Sequence, residues 1–159
     1  MPTITTFLTF DDRAEEAAEF YTSVFDGKIT GTTRYPDAGA GTPGALMTAT
    51  FELNGREFVA LNGGPSFTFS QGISLLVSCE SQEEVDHYWE RLSDGGEEGP
   101  CGWLTDKVGV SWQVVPRVLG EMLSDPDRGK AGRVMQAMLQ MRKIEIEELQ
   151  RAYDGVAVG

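Results

Sequence analysis

In the first 65 residues, apolar and polar positions alternate in four stretches and repeat at helical spacing in a fifth. The alternation predicts four strands, over Ile4–Phe10, Lys28–Tyr35, Ala45–Leu53 and Arg56–Leu61. The helical stripe predicts a helix from about Arg13 to Phe25, with Asp12 and Glu15 as its capping box. Asn54-Gly55 predicts a two-residue hairpin turn. The order of elements is therefore strand, helix and three strands, written βαβββ.

A second unit repeats the first. Glu83-Glu84 corresponds to Glu15-Glu16 and Asp94-Gly95 to Asp26-Gly27, a shift of 68 residues (83 minus 15). The strand Ile73–Cys79 precedes a helix whose predicted capping box is Ser81 and Glu84. A short strand near Glu97 and a hairpin over residues 101–116, which turns at residues 106–109, complete the unit. The pattern predicts an α+β protein of two repeated βαβββ units.

We expect a single domain over residues 1–159. Unit one covers about 3–65, a linker 66–72, unit two about 73–116 and a helical tail 117–155. In the tail, Arg117–Leu123 is a short helix, and Asp125 with Pro126 predicts the start of the next. Residues 141–146 alternate like an extended segment, and 147–153 form a last turn or two. A tail of this kind packs on its own chain or on a partner subunit.

The hairpin carries two of the three tryptophans and the candidate binding groups. Along its second arm, Trp112 and Val114 share one face, whereas Ser111, Gln113 and Val115 share the other. A polar amide among large apolar neighbours is typical of a small-molecule pocket. The pocket candidates are Gln113, Asn62, Trp103, Phe67 and Phe69. The aromatic members have a second interpretation, as ordinary core.

Composition narrows the classes of partner. The net charge of −12 argues against nucleic acid and anionic membranes, because both need a basic surface. The sequence contains no apolar run of about 20 residues, the length a spanning helix needs. Met1 leads directly into a strand, without a signal-peptide pattern. Cys79 and Cys101 form no metal motif or disulfide framework, so we expect reduced thiols in a cytoplasmic protein.

Four further features predict no chemistry. Residues 39–44 spell G-x-G-x-x-G, but the motif precedes a strand instead of opening a helix, so it is predicted to be a loop. Ser111 has no spare histidine to activate it as a nucleophile. Cys101 is interpreted as a structural thiol. His87, the only histidine, is predicted to face solvent from the second helix. No catalytic residue is assigned.

Several motifs resemble the vicinal oxygen chelate superfamily, which includes glyoxalase I and the bleomycin-resistance proteins. The chain is most similar to its PhnB-like branch, whose members often carry the name 3-demethylubiquinone-9 3-methyltransferase. The matching segments are residues 7–10, 14–17, 20–21, 67–69, 73–75 and 102–113, together with 123–126 and 134–139 in the tail. The resemblance implies eight strands in curled mixed sheets, each around a pocket, and a homodimer.

The resemblance also places Gln113 where glyoxalase-type relatives often have a metal-ligating glutamate. The neighbouring strands offer poor ligands at Thr5, Thr6, Phe7, Val59, Leu61, Asn62, Ile73 and Ser74. No cofactor and no metal site are therefore expected, with a divalent metal as the open alternative. The expected function is metal-independent binding of an unknown small molecule. A metal-dependent lyase, isomerase or dioxygenase-like enzyme is the second hypothesis, and methyl transfer the third.

Overall fold

A computed structural model of the protein describes residues 1–156. The chain divides into two compact units, Met1–Thr68 and Phe69–Gly159, and each is described by itself. Among the described residues, none of the helices has the length and apolar character needed to span a bilayer.

The first unit has one helix and one four-stranded sheet. Its elements are β1 Thr6–Phe10, α1 Ala14–Val24, β2 Lys28–Arg34, β3 Leu46–Leu53 and β4 Arg56–Asn62. The strand order is β1-β4-β3-β2, with β1 parallel to β4 and the other pairs antiparallel. The predicted hairpin turn is confirmed, because Asn54 and Gly55 both have positive φ, at 49° and 79°.

The first core forms between α1 and one face of its sheet. Alanines at positions 14, 17 and 18 of the helix are fully buried, so its backbone approaches the sheet closely. Tyr21 stacks on Phe51, and Phe51 stacks on Phe58 of the next strand. Alternation along β3 and β4 places these side chains on one face, as the sequence pattern predicts.

The second unit repeats this arrangement. Its elements are β5 Leu75–Cys79, α2 Gln82–Ser93, β6 Glu97–Glu98, β7 Trp103–Thr105 and β8 Ser111–Pro116. The strand order β5-β8-β7-β6, with β5 parallel to β8, matches that of the first unit. The prediction of an α+β fold with two βαβββ units and mixed sheets is confirmed.

The two helices begin differently. Ser81 caps α2 as predicted, because its hydroxyl accepts a hydrogen bond from the Glu84 N–H at 3.2 Å. The capping box predicted for Asp12 and Glu15 is wrong. Arg13 occupies the N-cap of α1 without a side-chain bond, and the Ala14 N–H donates to Oδ1 of Asn62 at 2.9 Å. An amide 48 residues away thus replaces the local cap.

The tail forms three helices, α3 Arg117–Leu123, α4 Arg128–Met138 and α5 Ile146–Asp154. They enclose a small core of Leu119, Met122, Val134, Ile144 and Leu149. The N-cap of α4 is Asp127, which accepts bonds from the Gly129 and Lys130 N–H groups, so the predicted start at Asp125 and Pro126 is wrong. Asp125 instead accepts bonds from the Asp127 N–H and the Tyr153 hydroxyl.

The tail is anchored to its own unit. Residues 141–146, predicted to be extended, form no strand, but two of their carbonyls bond the hairpin: Cys101 N–H donates to Met141 O and Gly102 N–H to Arg142 O, both at 2.8 Å. From α2, the Gln82 side chain donates to Ile144 O at 3.0 Å and accepts from Ile146 N–H at 2.7 Å. The amide of Gln82 therefore clamps α5 to α2.

Replacing Gln82 with alanine is expected to lower the free energy of unfolding by about 1–3 kcal/mol, because the partly buried Ile144 carbonyl and Ile146 N–H both lose their partner. Hydrogen exchange at Ile146 should speed up more than exchange in β3. Gln136→Ala, an exposed position on α4, is the control and should change neither quantity. Unchanged protection of Ile146 in the Gln82 variant would mean that the clamp does not hold the tail.

Candidate functional site

The sheet of the second unit has a face toward α2 and a face away from it. Leu104 pairs with Trp112, and both are buried on the α2 side. The next pairs, Trp103 with Gln113 and Thr105 with Ser111, therefore point to the opposite side. We call this side, with Trp103, Thr105, Ser111 and Gln113, the open face.

A buried carboxyl group fixes the turn between β7 and β8. Asp106 is 3% exposed, and its Oδ1 accepts bonds from the Val108 and Val110 N–H groups, each at 3.0 Å. Its Oδ2 accepts a bond from Nε1 of Trp112 at 2.8 Å. The same side chain thus shapes the turn and holds Trp112 in the core. The sequence places Asp106 in a turn but gives no sign of this role.

A cavity of about 470 Å³ opens beside β6 and β7. This volume is suited to a small organic ligand. Its wall includes Trp103 and Leu104 of β7 and reaches the linker at Gln71. The other lining residues described are Glu97, Glu98, Gly99, Pro100, Thr105 and Ser111.

Ser111 brings an unusual hydroxyl to this cavity. The residue is only 4% exposed, yet its side chain makes no hydrogen bond to any residue between 1 and 156. Among the described residues, every fully buried side-chain nitrogen or oxygen has a hydrogen-bond partner. Because the Ser111 hydroxyl has no such partner, its oxygen must be exposed to open space. The open space that Ser111 lines is the cavity. The hydroxyl is therefore available to a ligand.

Gln113 lies next to the cavity but is not among its described lining residues. Its Nε2 donates to Oγ of Ser74 at 2.9 Å, and its cross-strand neighbours are Trp103 and Leu76. Neither neighbour offers a metal ligand. Within residues 1–156, no group of three or more His, Cys, Asp and Glu side chains could hold a metal ion. The described contacts of Gln113 therefore bring one further oxygen, Oγ of Ser74, to its amide, whereas a divalent metal needs several converging oxygen or nitrogen atoms.

The other predicted pocket residues lie elsewhere. Asn62 uses its amide oxygen on α1 and donates from Nδ2 to Leu46 O at 3.3 Å, at the edge of a second cavity of about 370 Å³ in the first unit. Phe67, also in the first unit, is 54% exposed and lies close to Gly63. Phe69 approaches Gly109 in the β7–β8 turn. Of the five candidates, Trp103 alone is described as lining the second unit's cavity.

Thr105, Ser111 and Glu97 were not predicted as binding residues. The sequence did contain a signal for Ser111, since alternation places it on the same face of β8 as the candidate Gln113. Thr105 and Glu97 can be placed at the cavity only once the strand pairing is known, because Glu97 pairs with Thr105 and Thr105 with Ser111. Sequence alone does not fix that register for a two-residue strand such as β6.

The remaining candidate groups are structural or exposed. Burial, with the nearby Glu84 charge, raises the pKa of the Cys79 thiol to about 11, which makes it a poor nucleophile. Cys101 is half-buried and also a free thiol. His87 faces solvent. The glycine-rich motif at 39–44 lies in the loop between β2 and β3 and leads into a strand.

Comparison with known proteins identifies the family of the chain and structures with a similar fold. A family model described as 3-demethylubiquinone-9 3-methyltransferase matches residues 2–115. The PhnB protein of Bacillus cereus, which carries the same methyltransferase description, is 41% identical, with a TM-score of 0.64 over 72% of this chain and 99% of that chain. No curated protein matches the chain significantly.

Two solved structures with lower identity share the fold. Protein PA1353 from Pseudomonas aeruginosa is 20% identical, with a TM-score of 0.61 over 73% of this chain and 98% of its own. The fosfomycin resistance protein FosX from Listeria monocytogenes, solved with Mn(II) and sulfate, is 19% identical, with a TM-score of 0.54 over 71% of this chain and 89% of its own. The family model ends before α3, so it does not extend to the tail motifs.

Proposed function

The chain belongs to the 3-demethylubiquinone-9 3-methyltransferase family, the PhnB-like branch of the vicinal oxygen chelate superfamily, and on that premise we propose that it binds a small molecule in the cavity of its second unit. The observation that carries the proposal is the Ser111 hydroxyl, which is nearly buried and without a partner among the described residues, in the wall of a cavity of about 470 Å³. Beside it, Trp103 supplies apolar surface and Thr105 a second hydroxyl.

Retention of compounds from a small-molecule extract tests this site. Purified protein is mixed with the extract and recovered by gel filtration, and the retained compounds are identified by mass spectrometry. Thr105→Trp should fill the cavity and abolish retention, because Thr105 points into it without belonging to the α2-side core. Ser78→Trp is the matched control, because Ser78 is an exposed residue of β5 on the same open face of the sheet. This variant should retain the same compound as the wild type. Equal retention by both variants would place the ligand elsewhere.

We further propose that binding requires no metal, because the cross-strand neighbours of Gln113 are Trp103 and Leu76. Protein purified without chelator should contain well under one equivalent of manganese, zinc, iron, nickel or cobalt. One equivalent of bound metal that is lost in Gln113→Ala would contradict this. It would favour the second hypothesis, a metal-dependent lyase, isomerase or dioxygenase-like enzyme. FosX, a relative by fold, was solved with Mn(II).

Methyl transfer is the third hypothesis and rests on the family description alone. A nucleoside-containing methyl donor such as S-adenosylmethionine is typically held beside a glycine-rich turn between a strand and a helix, as in nucleotide-binding folds. The glycine-rich loop at 39–44 leads into β3 instead. For this reason we do not adopt methyl transfer as the proposed function.

We also propose a homodimer. Exposed apolar side chains on strands at the sheet edges, Phe7 on β1 and Leu76 on β5, support it because such surfaces favour association. The interface should bury about 1,200 Å² or more in total. Sedimentation at micromolar concentration should give twice the chain mass of 17.4 kDa, and a single species at the chain mass would refute the dimer.

The two free thiols support a cytoplasmic location.

A further inference from the structure

We propose that the cavity beside Trp103 is selective for a small organic ammonium ion, an inference that rests on the proposed binding function and names its ligand class. The ammonium group would lie between the carboxylate of Glu97 and the indole of Trp103, within reach of the hydroxyls of Thr105 and Ser111. All four side chains belong to residues that line the cavity.

Strand pairing arranges three of these groups in a row. Glu97 on β6 pairs with Thr105 on β7, and Thr105 pairs with Ser111 on β8. Side chains of paired residues lie on the same face, with neighbouring strands about 4.8 Å apart. The row therefore places one carboxylate and two hydroxyls across about 10 Å of the open face. Trp103 stands two residues along β7 on the same side.

Of the two glutamates at the cavity, Glu97 is the one available to a ligand. Glu98 faces the other side of the sheet, where its Oε1 accepts a bond from Nε1 of Trp89 at 3.1 Å and its Oε2 lies 3.9 Å from Nη1 of Arg142. Glu97 makes no ion pair or side-chain hydrogen bond with any residue from 1 to 156.

The hydroxyls complete a set of acceptors. The Ser111 hydroxyl, 4% exposed and without a protein partner among the described residues, opens into the cavity. The Thr105 hydroxyl also makes no hydrogen bond to any residue from 1 to 156. An ammonium group has only donors, and every one of these oxygens can accept. An indole face adds a favourable contact for a cation.

The same charges disfavour an anion. The described lining residues include two glutamates and no lysine, arginine or histidine. A carboxylate or phosphonate ligand would approach the carboxylate of Glu97 with no basic side chain among the described lining residues to bind it. The surrounding protein has a net charge of −12, which adds to the repulsion. A neutral ligand of the same shape would keep the stacking and hydroxyl contacts but lose the charge interaction.

Three matched probes test the inference: phenethylamine, which is a cation at neutral pH, phenethyl alcohol, which is neutral, and phenylacetate, an anion. Binding is followed by NMR through the indole N–H of Trp103 and the amides of Thr105 and Ser111. We expect the ammonium to bind most tightly and phenylacetate least. Glu97→Gln should weaken phenethylamine about fivefold, the effect of one exposed charge, and leave phenethyl alcohol unchanged. Glu57→Gln, an exposed position on β4, is the control and should change neither affinity.

The outcomes separate this inference from the proposed function. If the alcohol or phenylacetate shifts these three residues with affinity equal to or better than the ammonium, charge selectivity is refuted while the small-molecule site stands. If the ammonium leaves the three signals unchanged at millimolar concentration, the inference is also refuted. The extract experiment then decides separately whether the cavity binds any compound. An unaltered phenethylamine affinity in the Glu97 variant would likewise overturn the assigned role of that carboxylate.

Discussion

Replacing Asp106 with alanine is expected to lower the free energy of unfolding by about 3–5 kcal/mol. The change leaves three donors without an acceptor: the N–H groups of Val108 and Val110 and the Nε1–H of Trp112. These donors are buried together with Asp106, so water does not readily replace the carboxyl group. The loss should appear in urea unfolding monitored by tryptophan fluorescence.

An amide at position 106 separates the turn from the tryptophan. Asp106→Asn keeps one oxygen for the two backbone donors but directs an NH₂ group at the Trp112 N–H, so we expect a smaller loss of about 2–3 kcal/mol. Asp37→Ala, an exposed acid in the loop between β2 and β3, is the control and should stay within about 0.5 kcal/mol of wild type. A loss of similar size in the Asp37 variant would mean that net charge, and not the buried bonds, determines the effect.

Trp112→Ala should destabilise the protein by about 3–5 kcal/mol, because it removes a large buried aromatic side chain from the α2-side core. Trp112 is 3% exposed and also donates to Asp106, so the variant loses both packing and a hydrogen bond. Urea unfolding monitored by circular dichroism measures the loss, since the substitution removes a fluorophore.

Gln113→Ala is the matched comparison, one residue further along β8. Its side chain is half-buried on the open face and makes one hydrogen bond within residues 1–156, to Ser74, so we expect a loss of about 1 kcal/mol or less. If Gln113→Ala were the more damaging of the two, the assignment of faces on β8 would be wrong by one residue, since such a slip exchanges the two faces.

Most of the fold follows from local patterns. Alternation predicts β3, β4 and β8, and it places Trp112 and Val114 on one face of β8, which the structure shows to be the buried face. The 68-residue repeat (83 minus 15) predicts two units with the same strand order, which the structure has. The Asn54-Gly55 turn is set by residues that tolerate positive φ.

The errors arise where a distant group takes over a local role. Asp12 and Glu15 have the spacing of a capping box, but Asn62 bonds the first turn of α1 across the fold. In the tail, Asp125 and Asp127 are both plausible N-caps. Asp125 is occupied by Tyr153, 28 residues away, so the helix begins after Asp127. Local propensity carries no information on contacts of this range.

The candidate site was only partly predictable for the same reason. Trp103 was selected because a large aromatic side chain in a hairpin is conspicuous, and it does line the cavity. Gln113 was selected as a polar amide among large apolar neighbours, and the family resemblance pointed to the same position, but its amide donates a hydrogen bond to Ser74. Glu97 lies at the cavity because β6 pairs with β7, and both strands are too short for their pairing to be predicted from hydrophobic periodicity.

Binding of a fragment library, mapped onto the assigned NMR spectrum of the full chain, tests most directly whether the cavity of the second unit binds small molecules. Hits should cluster on Trp103, Thr105 and Ser111, and Thr105→Trp should remove them while Ser78→Trp does not. Hits that instead cluster around Tyr35 and Asn62, beside the cavity of the first unit, would contradict binding in the second unit's cavity, as would a library that leaves Trp103 and Ser111 unshifted.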